Sequence, residues 1–96
     1  RALTAEDSLT SELEQPVADQ APLIERVTDY DRAHLVTYLR LLDAARDGAD
    51  WREAARQVLA RDPDHPASRA CWESHMRRAE WMTHTGYKHL ASLRDL

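Results

Sequence analysis

From Asp31 onward the apolar positions recur at helical spacing: His34, Leu35, Tyr38, Leu39, Leu41, Leu42 and Ala45 fall on one side, Arg40, Asp43 and Asp47 on the other. Gly48 ends that run, because glycine enters the left-handed conformation that closes a helix without a Cβ penalty. Asp50, Trp51 and Glu53 open the next helix; Asp50 is placed to accept from amides of the first turn, and Glu53 has the spacing of a capping box. This second helix offers Trp51, Ala54, Ala55, Val58 and Leu59 to a core and turns Arg52, Glu53, Arg56 and Gln57 outward. Pro63 disfavours helical geometry at the residue before it, which sets the end near Arg61. The stretch Asp62 to Pro66 contains both Pro63 and Pro66, so the turn is longer than in an ordinary helix-turn-helix. Pro66 suits the first turn of a third helix running to about His84 or Thr85, before Gly86. Tyr87, Leu90 and Leu93 then predict a short final helix packed back on the body. The pattern is all-α: a small helical bundle, a helix-turn-helix variant with an extended turn between helices two and three.

Residues 1–27 lack this periodicity. They contain Pro16 and Pro22 and few large apolar groups before Leu23 and Ile24. A short helix between Thr4 and Glu14 would have little to pack against, and short isolated helices are marginal in water. We expect an acidic, flexible segment over 1–27 and a helix-turn-helix-like domain over 28–96, with the segment either solvated or engaging a basic partner. The chain of 96 residues has a net charge of -4, and residues 1–27 hold all of it, with six acids against two bases. The remaining 11 bases and 11 acids cancel, whereas a domain that grips DNA normally shows a basic excess.

The third helix has a wider apolar arc than one contact surface needs. Cys71, Trp72, His75, Met76, Ala79 and Met82 form one face, and Ala70, Ser74 and Trp81 lie on a flank beyond it. That flank is either covered by the chain ends or is a contact surface. The second alternative gives a protein-partner interface of Ala70, Ser74, Arg78 and Trp81, with Trp81 as anchor, since tryptophan and arginine are enriched at interface hot spots. The rival surface is a DNA site of Arg52 and Arg56 on helix two with Arg69 and Arg77 on helix three. Glu73 and Glu80 share the stripe with Arg69 and Arg77 and repel phosphate.

Catalysis finds no support. The two glycines are far apart, so there is no phosphate-cradling loop, and no serine sits in a Gly-x-Ser-x-Gly elbow. Cys71 and His75 share a face at i and i+4, but two ligands make a weak metal signal, and His84 and His89 add no recognised spacing. The reading is of a non-enzyme with no metal or cofactor, Cys71 being a small buried residue. A single cysteine, no secretory leader and no membrane-length apolar run lead us to expect a cytoplasmic protein.

Residues 28 to 93 resemble a proteobacterial domain family through Tyr30-Asp31, Tyr38-Leu39-Arg40-Leu41-Leu42-Asp43-Ala44, Gly48-Ala49-Asp50-Trp51-Arg52-Glu53, Asp62-Pro63, Ala79-Glu80-Trp81-Met82-Thr83 and Gly86-Tyr87-Lys88-His89-Leu90. In that family the domain forms the carboxy-terminal half of FseA-type transcriptional activators, which switch on excision and transfer of integrative and conjugative elements. It also stands alone in antiactivators of the QseM type. The resemblance implies a variant helix-turn-helix. With no room for a second domain and no basic excess, it further implies an antiactivator that occupies the docking surface on the amino-terminal domain of an FseA-type activator. It also implies, as a further partner, a LuxR-type quorum-sensing regulator of the same element. The alternative is a DNA-binding helix-turn-helix transcriptional regulator.

Overall fold

A computed structural model describes residues 16–86. The short helix weighed between Thr4 and Glu14 and the final helix expected from Tyr87 lie outside the described residues. Four α-helices make the body: α1 (Asp29–Ala33), α2 (Leu35–Arg46), α3 (Trp51–Gln57) and α4 (Ser68–Trp81), with α4 continued by a wider turn of helix over Met82–Gly86. There is no strand among the described residues, and the fold is a small all-α bundle in which α4 packs against both α2 and α3.

Local chemistry sets most boundaries. α1 opens on a full capping box, in which Thr28 Oγ1 accepts from the Asp31 amide and the Asp31 carboxylate accepts from the Thr28 amide. The single helix expected from Asp31 is instead broken at His34. The His34 ring stacks on Tyr30 at 4.0 Å and its Nδ1 donates to the Tyr30 carbonyl, at 2.8 Å. A continuous helix would give that carbonyl to the His34 amide, which turns to Asp31 O instead, at 3.1 Å.

α2 ends as expected. Gly48 sits at φ 87, its amide bonds Ala45 O, and the Ala49 amide bonds Ala44 O, the paired closure of a Schellman motif. Asp50 then caps α3 by accepting from the Glu53 amide at 3.0 Å. α3 is shorter than expected, stopping at Gln57 rather than near Arg61. Its end is closed by Ala60 in the left-handed region, φ 56, which lets the Arg61 amide reach back to Ala55 O at 2.9 Å. Residues 58–67 form the extended turn, and Pro66 lies within it, just before α4. Ser68 Oγ donates to Asp62 O and its amide bonds His65 O, which ties the turn to the first turn of α4.

The core has two parts. Leu41, Ala54, Leu59, Cys71 and Val17 pack together with half-buried Trp72 and Met76 around them. Tyr38, Ala79 and Met82 form the other, flanked by Val27, Leu35, Leu42 and Trp81. Within α2 the buried positions are Thr37, Tyr38 and Leu41, so the stripe is narrower than the sequence pattern suggested; Leu39 is 58 % exposed and Ala45 also faces outward.

Residues 16–27, expected to belong to a flexible segment, are packed on the body. Over residues 16–27 the chain runs against α4, with Val17 and Ala21 buried. Arg61 holds it by donating to Val17 O and to Asp19, the latter at 2.7 Å. Residues 1–15 lie outside the described residues.

Candidate regulatory surface

The flank of α4 expected to be a partner interface is largely covered by the chain's own segment. Ser74 is buried, its Oγ accepting from the Ala21 amide and donating to Cys71 O, each at 3.0 Å. Arg78, expected as a charged contact beside an anchor, is only 5 % exposed. Its guanidinium donates to both oxygens of Asp31, at 2.9 and 2.7 Å, and to the carbonyls of Ile24 and Arg26, each at 2.7 Å. Trp81 is half-buried with the Arg78 guanidinium 4.0 Å from its ring centre, against a cleft shared with Pro22, Leu23 and Glu25. Ala70 alone of the four is exposed. Ser74 and Arg78 therefore do not offer a docking surface; they hold residues 21–26 down.

Asp31 is the centre of this clamp. Besides Arg78 it accepts from the Tyr38 hydroxyl at 2.7 Å and from the Thr28 amide and hydroxyl at 2.8 and 3.0 Å. Burial alone would raise its carboxyl, but these donors, Arg78 first among them, outweigh burial and hold it at about 2. Burial, with Asp31 opposite, pushes the Tyr38 hydroxyl far above its ordinary value. No buried side-chain nitrogen or oxygen among the described residues lacks a partner.

A second polar chain runs beside it. The His75 Nδ1 lies 2.8 Å from the Cys71 carbonyl, which can only accept, so Nδ1 carries the proton and Nε2 accepts from the Tyr30 hydroxyl. That hydroxyl in turn accepts from the Ala18 amide at 2.9 Å. Burial lowers the His75 pKa. Both ring nitrogens are thus engaged, and Cys71, whose thiol burial pushes up, donates to Ala18 O. This is the chemistry of a structural core rather than of a metal pair, and no group of three metal-type ligands occurs among the described residues.

The arginines expected for DNA fall in two places. Arg52 on α3 and Arg69 in the first turn of α4 are brought together over the half-buried Trp51, each with its guanidinium carbon 5.1 Å from the ring centre; Arg69 also lies 5.6 Å from Trp72. Their charges are locally paired, Arg52 with Asp64 at 3.7 Å and Arg69 with Glu73 at 3.2 Å. Arg56 is exposed on the outer side of α3, and Arg77 lies apart, lining the clefts against residues 19–25. Sequence spacing did not reveal the Trp51 and Trp72 platform, because its members sit on different helices. A third surface is apolar: a groove of about 400 Å³ lined by Leu35, Tyr38, Leu39 and Leu42 of α2 and by Ala79, Met82 and Thr83.

A family model described as "T6SS, Transcription factor, DNA binding domain", RovC_DNA-bd, matches residues 2–92. The chain belongs to this family. The RovC_DNA-bd match runs through residue 27, in keeping with a segment 16–27 that is part of the body. It is a family of transcription-factor domains and not of enzymes. A search of curated proteins found no match. No helix among the described residues is long and apolar enough to cross a membrane.

Proposed function

We propose that this RovC_DNA-bd domain regulates transcription mainly through a protein contact, as an antiactivator of the QseM type does. It occupies the docking surface on the amino-terminal domain of an FseA-type activator, and so blocks activation of excision and transfer of an integrative and conjugative element. The supporting observation is the charge of the α3–turn–α4 unit. Over residues 51–81 the exposed bases are Arg52, Arg56, Arg69 and Arg77, and the exposed acids are Glu53, Asp62, Asp64, Glu73 and Glu80. Affinity for the DNA backbone comes from neutralised phosphates, each contact steepening the log–log salt dependence by about 0.9. A unit with five exposed acids against four exposed arginines supplies little of that term. Two of its arginines, Arg52 and Arg69, already face Asp64 and Glu73.

The second reading, a DNA-binding regulator, is favoured by the family's description and by one observation. Arg52 and Arg69 are steered by Trp51 near the start of α4, where a helix-turn-helix meets the major groove. Two titrations in one buffer separate the readings, one with the amino-terminal domain of an FseA-type activator and one with duplex DNA from the excision promoter. Protein binding without a mobility shift at low salt is the expected result. A shift that weakens steeply with salt and is lost on replacing Arg52 and Arg69 establishes the DNA reading instead.

A further inference from the structure

The segment that covers α4 is fastened at three places that differ in chemistry. Arg78 holds the Ile24 and Arg26 carbonyls at one end, and the Ser74 hydroxyl holds the Ala21 amide in the middle. At the other end the Ala18 amide donates to the Tyr30 hydroxyl, at 2.9 Å, and that hydroxyl donates in turn to His75 Nε2. Of the three, this last fastening passes through an imidazole. We propose that protonation of His75 unfastens residues 16–19 from the body while residues 21–26 stay clamped.

The protons in this chain of bonds all run one way. His75 Nδ1 gives its proton to the Cys71 carbonyl, so the neutral ring offers Nε2 as an acceptor and the Tyr30 hydroxyl fills it. A proton added at Nε2 meets the hydroxyl proton head on. The hydroxyl must turn, and the other polar group bonded to its oxygen is the Ala18 amide, which is itself a donor. Burial pushes the Tyr30 hydroxyl above its ordinary pKa, so it does not relieve the conflict by giving up its own proton. Arg61, which tethers Val17 O and Asp19, also faces the ring, so a charge on His75 repels the second hold on the same end. The remaining titratable groups around the ring are Cys71 on α4 and His34 at the end of α1, and neither offers it a negative partner. Two carboxylates stand near these groups and both are engaged, Asp19 by Arg61 and Asp31 by Arg78, Tyr38 and Thr28. Lifting residues 16–19 frees the hydroxyl and lets water reach a charge that is otherwise buried. The Asp31 carboxyl, held at about 2, keeps its charge throughout the histidine range, so the clamp on Ile24 and Arg26 stays closed.

The test is a nuclear magnetic resonance titration of the full chain from about pH 7.5 to about 4.5, a range that spans histidine protonation and stops short of Asp31. The His75 ring signals, the exchange protection of the Ala18, Ala21 and Thr28 amides, and the cross-peaks of the Val17 methyls with Leu41 and Leu59 are followed together. Loss of the Ala18 protection and of the Val17 cross-peaks in step with the His75 ring, with Ala21 and Thr28 still protected, is the expected result. In His75→Gln that step should vanish. Ala18 protection that persists after the ring has titrated overturns the proposal, and so does loss of Ala18, Ala21 and Thr28 together, which is unfolding rather than release. A step that survives in His75→Gln overturns it as well, by assigning the trigger to another group such as His34. If the substituted chain does not fold, the titration of the unsubstituted one decides.

Discussion

α4 carries two arginine environments that differ in almost every physical respect. Arg78 is buried under residues 21–26 and bonded to Asp31 and two carbonyls, whereas Arg69 lies exposed on Trp51 and Trp72 with one carboxylate beside it. The first is architecture and the second is surface. Removing one partner of a buried pair strands the other charge away from water, while an exposed pair is screened and easily replaced by solvent. Asp31→Ala should therefore destabilise the fold by about 3–5 kcal/mol. Arg69→Ala should change it by less than about 1 kcal/mol. Urea unfolding followed by tryptophan fluorescence measures both, and equal effects would break the contrast.

Acid probes the same contrast without mutation. The Asp31 carboxyl is lower in the folded chain than its ordinary value of 3.8, at about 2, so its contribution is complete above about pH 4 and disappears as pH falls toward 2. That loss amounts to about 2 kcal/mol. His75 also has a lowered folded pKa, because burial disfavours its charged form, so its contribution is present above its ordinary 6.5 and declines as pH falls below that. Stability should thus fall in two stages, and His75→Gln should remove the upper one. A single decline confined to the carboxylate range in the unsubstituted chain would show that His75 gains its proton without cost.

A smaller loss is expected from Tyr38→Phe, which removes one of several donors to Asp31 and leaves Arg78 and Thr28 in place. We expect about 1–2 kcal/mol. The clamp explains why the sequence reading went wrong on this side. Arg78 and Asp31 are 47 residues apart, and the segment they hold is gripped through the Ile24 and Arg26 carbonyls and the Ala21 amide, which leave no side-chain pattern to read. A proline-containing acidic stretch without periodicity therefore looked like a tail. Its cover over Ser74 was one of the two alternatives the wide apolar arc of α4 allowed, and composition could not choose between them.

Where the determinants are local, the chain was legible. Gly48 and Asp50 act on their own neighbours, so the end of α2 and the start of α3 follow from a few consecutive residues. The early stop of α3 was hidden because alanine, not glycine, takes the left-handed position at Ala60. The break at His34 was hidden too, since it depends on a ring competing for the Tyr30 carbonyl.

Those two closures give the smallest effect and locate what stiffens the exposed side. An L-residue pays roughly 1–2 kcal/mol to sit in the left-handed region, and glycine does not. Ala60→Gly should accordingly raise stability by about 1 kcal/mol, reduced somewhat by the greater freedom glycine has in the unfolded chain. Gly48→Ala should lower it by a similar amount of about 1 kcal/mol, through the backbone alone, because an added Cβ meets nothing within 4 Å. Neither change touches Asp31 or Arg78, so each should add to the effect of Tyr38→Phe within about 0.5 kcal/mol. Additivity would mean that the α3–turn–α4 unit and the clamped flank are stabilised independently. A non-additive result with Ala60→Gly would instead show that the turn carrying Arg61, and through it Val17 and Asp19, is mechanically part of the clamp.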